Sequence, residues 1–239
     1  MISGLKKQCP MEERLKRSET VISNLEKCPE WIEAGNILCY WSLPDEVFTH
    51  GLVVKAAATG KNVFLPVVNG EDLIVRQFTG IAEMHDGESY SIPEPQTGAR
   101  EVSIDEIDLV VVPGVAFDRE GGRMGRGKGF YDRLLAGSRV WKTGICFDFQ
   151  LVGSVPKEPH DILMDKVVSE TFTGRGSGGG TQRVISALRL IRKYSCTTVH
   201  SGFLICASLE IPPFGSPSRE TDCPGKESDT RVNASARRQ

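Results

Sequence analysis

Apolar and polar positions alternate with two rhythms over the first 170 residues. Met11, Leu15, Ile22 and Leu25 recur at helical spacing with charges between them. Pro10 can open this helix and Pro29 can close it. Residues 37–41 are a short apolar run with strand character. Residues 45–59 predict a helix ending at Gly60, a glycine suited to the position just past a C-cap. Residues 62–68 and 73–78 predict two more strands, and the polar, Gly- and Pro-bearing stretch 79–100 reads mostly as loop. Residues 107–112 are nearly all apolar, the pattern of a strand covered on both faces. Residues 131–135 read as helix and 143–147 as strand. Strands alternating with helical stretches predict an α/β fold with a largely parallel sheet flanked by helices.

The texture changes near residue 171. Residues 174–180 read GRGSGGG, a flexible linker composition. A basic amphipathic stretch at 184–194 and an apolar run at 203–209 follow, and the end is rich in Ser, Pro, Arg and Asp. Two domains of unequal kind are expected: 1–170 as an α/β unit, and 171–239 as a Gly/Ser-rich linker with an atypical, poorly ordered tail. The competing reading makes 184–194 a partner or membrane-surface helix.

Composition narrows the class. A hydrophobic content of 39% with 25% charged residues is ordinary for a globular chain and excludes a collagen-like or wholly disordered one. The net charge of −2 supplies no global basic field, so no nucleic-acid partner is expected. No apolar run approaches the roughly 18 residues of a spanning helix, and the N-terminus is too polar for a signal peptide. The seven cysteines form no C-x-x-C pair, which fits a reducing cytoplasm. The four histidines are scattered and suggest no metal cluster.

Candidate chemistry concentrates in residues 110–135, VVVPGVAFDREGGRMGRGKGFYDRLL. An apolar strand ends in Pro113-Gly114, a turn follows at 118–122, and then comes the run from Arg123 to Asp132. Alternating Gly125, Gly127 and Gly129 let backbone N–H groups approach an anion without a Cβ in the way. Arg123, Arg126 and Lys128 add cationic charge, and a helix starting near Phe130 would aim its positive end at the same place. Asp132 supplies a hard oxygen of the kind a magnesium–phosphate complex needs. Gly122–Lys128 matches the first seven positions of a P-loop, but Gly129 stands where Ser or Thr is required. The Rossmann spacing G-x-G-x-x-G is also absent. The plain alternative is a glycine-rich surface turn with solvated charges.

The segment PGVAFDREGGRMGRGKGFYD closely resembles the signature of the 5-formyltetrahydrofolate cyclo-ligases, also called methenyltetrahydrofolate synthetases. Weaker similarities lie in order around it: EERL at 12–15, YWSLPDEVFT at 40–49, SIPEP at 91–95 and HDILMDKVV at 160–168. The resemblance covers residues 12–168. It implies a three-layer α/β/α fold like that of sugar-phosphate isomerases and CoA transferases, with 171–239 as an unclassified extension. It implies a monomeric cytoplasmic ligase of one-carbon metabolism whose partners are small molecules, with no membrane. Such an enzyme uses ATP as co-substrate and Mg2+ as cofactor to convert 5-formyltetrahydrofolate to 5,10-methenyltetrahydrofolate, releasing ADP and phosphate. The γ-phosphoryl group is transferred to the formyl oxygen, the neighbouring folate nitrogen attacks, the ring closes and phosphate departs. That chemistry needs positioning and charge neutralisation more than a covalent nucleophile.

The resemblance also implies site roles. Arg123, Met124, Gly125, Arg126, Gly127, Lys128, Gly129, Phe130 and Tyr131 would embrace the nucleotide. Arg126 and Lys128 would be catalytic, offsetting charge on the moving phosphoryl group. Trp41, Glu46 and the stretch from Arg126 to Phe130 would contact the folate. Asp132 and Asp161 match the metal-binding positions, with Asp165 the alternative to Asp161. Read singly, Trp41 would be core, Glu46 a first-turn helix acid, Asp161 a turn residue and Tyr131 packing beneath the loop. Lys142, His50 and the cysteines are read as structural. The family also begins with a basic helix carrying K-x-x-x-R, which would fall before Met1 here; the chain starts MISGLKKQ instead, and Lys6 and Lys7 would have to substitute for it. The alternative function is therefore a non-catalytic nucleotide- or folate-binding member that lost turnover with that helix.

Overall fold

A computed structural model describes residues 9–87 and 92–177, together with Gly4. All of these fall within the first of two compact units, Met1–Ser195. The predicted helix at 184–194, the apolar run at 203–209, Lys6 and Lys7 lie outside the described residues.

Helix α1, Met11–Glu26, starts at Pro10 as the spacing predicts. Its buried face is Ser18, Val21 and Leu25, while Met11 is exposed, so the first turn of the periodic pattern does not reach the core. Pro29 does more than end this helix: it opens α2, Pro29–Glu33, at a position where its missing N–H is no loss. Strand β1, Asn36–Leu38, follows. The helix predicted at 45–59 is shorter, with α3 spanning His50–Ala58. Residues 43–46 instead form a tight turn in which the Glu46 N–H donates to the Leu43 carbonyl at 3.1 Å. Gly60 does end α3: at φ 88° it donates to the Ala57 carbonyl, and Lys61 donates to that of Ala56, which satisfies two last-turn acceptors.

Strands β2, Asn62–Asn69, and β3, Asp72–Gln77, make a hairpin. The stretch 79–100 holds more than loop: β4, Met84–Asp86, pairs antiparallel with β5, Pro93–Pro95. Next come β6, Glu101–Val102, and β7, Leu109–Val112. Strands β8, Ala116–Asp118, and β9, Arg123–Met124, lead to α4, Phe130–Leu135. The last elements are β10, Trp141–Ile145, β11, Leu151–Val152, β12, Lys166–Val168, and β13, Thr173–Arg175.

The central sheet has the order β13-β12-β10-β7-β1-β2-β3-β6. The five strands from β12 to β2 run parallel, and β13, β3 and β6 are antiparallel at the two edges. The protein is thus a mixed α/β fold around a large, mostly parallel sheet. The period of two sorts its side chains. Ile37, Cys39, Val63, Leu65, Leu109, Val111 and Ile145 join a cluster with Val21, Leu25, Trp31, Leu52 and Val53 of the helices. Leu38, Phe64, Val110, Val112 and Cys146 join a second cluster with Phe117, Leu135 and Met164. All four residues of β7 are buried, as its unbroken apolar run predicts. Each such side chain contributes roughly 1.5–3 kcal/mol by leaving water.

The sheet also continues past residue 170. Strand β13 pairs with β12, and Ser177 donates from its backbone to the Glu120 carbonyl at 2.7 Å. Among the described residues, no helix is long and apolar enough to cross a membrane.

Candidate functional site

The strand order fixes where a cleft can form. From β1 the chain moves through α3 to β2 on one side, and from β7 it moves through β10 to β12 on the other. Strands β1 and β7 are therefore neighbours whose connections leave in opposite directions. The crevice beyond the carboxyl ends of such a pair is where open α/β sheets place their ligands. A cleft of about 580 Å3 opens there. Tyr40 and Trp41, just past β1, and Pro113 and Gly114, just past β7, line it.

The whole run from Arg123 to Asp132 lines the same cleft. Gly127 and Gly129 take φ of 84° and 66°, a left-handed backbone that a side chain would strain, and Gly129 directly precedes α4. The cations between the glycines are held differently. Lys128 is exposed, and its ammonium has no ion-pair partner among the described residues. Arg126 reaches across to the turn after β1, its Nη2 lying 2.6 Å from Asp45 Oδ1 and 3.4 Å from Glu46 Oε1. Arg123 is only 6% exposed, pairs through Nη2 with Asp132 Oδ2 at 2.8 Å and lies over the Tyr131 ring. Among the described residues, its buried Nε has no hydrogen-bond partner. Arg123 is thus part of the wall, whereas Lys128 is open to a ligand. Tyr131 is half-buried against the second core cluster, and desolvation pushes its phenol well above the ordinary value.

Glu46 and Trp41 form the facing wall. Glu46 Oε2 accepts from the Leu43 N–H at 3.0 Å, and its side chain is 10% exposed. Burial raises its carboxyl above the ordinary value, while the Leu43 N–H and the Arg126 charge oppose that rise. It is therefore a turn-closing acid rather than a first-turn helix acid. Trp41 lines the cleft and also packs against the core, one ring face stacked on His50 at 3.9 Å. Burial lowers His50, whose Nε2 lies 3.1 Å from the Ser42 carbonyl oxygen.

Asp132 and Asp161 both line the cleft, with Glu158 and His160 beside them. Asp132 Oδ1 accepts from the Ile162 N–H at 3.4 Å, and Asp161 Oδ2 from the Glu158 N–H at 2.7 Å. Each carboxylate keeps further lone pairs for a hard cation. Asp165 does not line the cleft: it is buried and paired with Lys142 at 2.9 Å, which gives both residues a structural role. The two positions differ because Asp161 lies in the loop before β12, whereas Asp165 adjoins the strand.

Several lining residues escape the sequence reading. Asp45 is overlooked beside Glu46, and its partner Arg126 is 81 positions away, so no local spacing reveals the pair. Glu94, buried in β5, lines the cleft from within the SIPEP stretch, with nothing in its own spacing to mark it. Tyr40 reads as strand, and only the end of β1 at Leu38 turns it to the cleft.

Fold and cleft together define an α/β protein with a glycine-rich, cationic loop at a topological switch point. The model of the 5-formyltetrahydrofolate cyclo-ligase family matches residues 2–170, and the chain belongs to that family, a family of ligases. It is 31% identical over 170 residues to a Schizosaccharomyces pombe protein named "Probable 5-formyltetrahydrofolate cyclo-ligase", covering 64% of this chain and 83% of that one. It is 29% identical over 176 residues to the Escherichia coli (strain K12) 5-formyltetrahydrofolate cyclo-ligase, covering 71% and 96%. The NMR structure of Aquifex aeolicus 5,10-methenyltetrahydrofolate synthetase superposes with a TM-score of 0.64 at 32% identity, covering 78% of this chain and 98% of that one.

Proposed function

We propose that the protein catalyses the ATP- and Mg2+-dependent conversion of 5-formyltetrahydrofolate to 5,10-methenyltetrahydrofolate, releasing ADP and phosphate. The observation that carries this reading is the meeting of two walls in one cleft. The cationic glycine loop of 123–131 faces Trp41 and Glu46 across the switch point. A phosphoryl donor and a flat, polar-edged acceptor can therefore lie against each other. The proposal extends to fold and setting: a three-layer domain of the sugar-phosphate isomerase and CoA transferase kind over 1–170, completed by the edge strand β13, acting as a cytoplasmic monomer on small molecules.

In this reading Trp41, which lines the cleft, packs on the folate ring and Glu46 accepts from its polar edge. Backbone N–H groups around Gly125 to Gly129 hold the nucleotide phosphates. Lys128 lies open to the cleft and offsets charge as the γ-phosphoryl group moves to the formyl oxygen. The formyl oxygen leaves as phosphate when the neighbouring nitrogen closes the ring. Arg126 holds the acceptor side of that transfer, and the enclosing loop limits water, which would otherwise take the phosphoryl group. Asp132 and Asp161 would hold Mg2+. Among the described residues no three acidic, His or Cys side chains form a complete metal cage. Two carboxylates suit magnesium, which usually takes one or two such ligands together with substrate phosphates and water. When bound, the ion would neutralise phosphate charge.

The test is the absorbance of methenyltetrahydrofolate formed from 5-formyltetrahydrofolate. Product that requires both ATP and Mg2+, with one ADP per product, is the expected result. Binding of ATP or folate without product would replace this reading with a non-catalytic family member.

A further inference from the structure

Arg126 and Asp45 are the groups whose arrangement goes beyond the roles so far assigned. Arg126 stands between Gly125 and Gly127 on a loop with little side-chain mass to hold it. Its side chain is 44% exposed, and the contacts its guanidinium makes are through Nη2, to Asp45 at 2.6 Å and Glu46 at 3.4 Å. The acidic turn is firm. Its Leu43–Glu46 backbone bond and the Leu43 N–H to Glu46 Oε2 bond close it from both sides. A charged hydrogen bond thus ties the glycine-rich loop to a turn closed by its own bonds, beside the cleft. Among the described residues only one corner of the guanidinium is engaged, which leaves its other N–H donors for a ligand.

We infer that Asp45 is a positioning residue, which fixes the Arg126 guanidinium in its working orientation over the cleft. The inference rests on the proposed function for its catalytic consequence, though not for its structural one. An ion pair this exposed contributes little to stability. Its effect is orientational: an arginine that must re-find its place at each turnover contributes less to the transition state than one already held there. Asp45 needs no contact with substrate, so its loss should act on turnover more than on folate affinity.

The experiment uses the full-length chain and four variants, two of them in an Arg126→Ala background. Asp45→Asn should lower kcat roughly tenfold while KM for 5-formyltetrahydrofolate stays within about twofold. Asp45→Glu should recover most of the loss. In an Arg126→Ala background, Asp45→Asn should cost nothing more, because the group it positions is gone. Amide hydrogen exchange of the 123–131 segment should quicken in Asp45→Asn without ligand, with the rest of the chain unchanged. Equal losses in both backgrounds, or unchanged kcat with unchanged exchange, would overturn the inference. If the wild-type chain makes no product, the proposed function fails on its own, and the exchange measurement still decides whether Asp45 holds the loop.

Discussion

Lys128 and Glu46 stand on facing walls of the cleft and carry opposite electrostatic demands. Lys128 is exposed, without an ion-pair partner among the described residues, so a phosphoryl group would find it open. Lys128→Ala should cut kcat by roughly two to three orders of magnitude, the usual cost of losing one charge-stabilising donor, and near-normal turnover would remove Lys128 from the mechanism. Glu46 stands in a site that disfavours ionisation. Its folded carboxyl titrates above the ordinary value, chiefly through burial. The fold therefore loses stability as pH rises from the unfolded pKa through the folded one. Glu46→Gln removes that cost and should raise the thermal midpoint at neutral pH. The same change should raise KM for 5-formyltetrahydrofolate roughly tenfold, by losing a charged acceptor. Calorimetry and steady-state kinetics check the two halves, and an unchanged KM would release Glu46 from substrate binding. The residue types were legible in the sequence; their states were not, since exposure and pairing depend on what packs alongside.

At the scale of elements, the loops around the cleft are joined by one buried acid. Asp118, at the end of β8, is 1% exposed. Its Oδ1 accepts from the Glu120 and Gly122 N–H groups at 3.0 and 2.7 Å, and its Oδ2 from Val155 N–H at 3.0 Å. Lys157 adds a charge at 3.3 Å. Burial pushes this carboxyl up, but the N–H donors and the Lys157 ammonium together hold it below its ordinary 3.8. Its stabilisation is therefore complete above that ordinary value and is lost as pH falls through the lower folded one. Asp118→Asn turns an amide N–H2 toward donors and should cost about 2 kcal/mol. Denaturant unfolding would show that difference constant above about pH 5 and shrinking in acid; a difference independent of pH would show that the charge is not what matters. Sequence periodicity located β7 and α4 well because each has a single dominant rhythm; it placed β10 two residues late, at 143–147 rather than Trp141–Ile145, because the apolar run 145–147 extends past the strand. It overextended α3 because Asp45 and Glu46 suit a helix start, yet Pro44 and the Leu43–Glu46 bonds make a turn there instead.

Over the whole molecule, the sheet reaches beyond the point where the family pattern ends. Strand β13 covers the open edge of β12, and Ser177 bonds the Glu120 carbonyl through both its N–H and its hydroxyl. A chain cut after Ser177 should keep the full thermal midpoint and turnover, as expected if the domain is self-sufficient. A chain cut after Glu170 should melt several degrees lower, since it loses an edge strand and bares the β12 backbone. Equal midpoints for both truncations would show that β13 adds nothing.

By itself the sequence determined the α/β class, the buried β7 and the glycine-rich cationic loop. These are local properties: an apolar run, a period, and a spacing of glycines each act over a few residues. Only the tertiary structure decided that Glu46 and Arg126 face each other, that Arg123 is walled in beside Asp132, and that Asp161 rather than Asp165 lines the cleft. The first of those outcomes depends on the reversal of strand order between β1 and β7. That reversal brings together segments some eighty residues apart, across a distance that no pattern along the chain records.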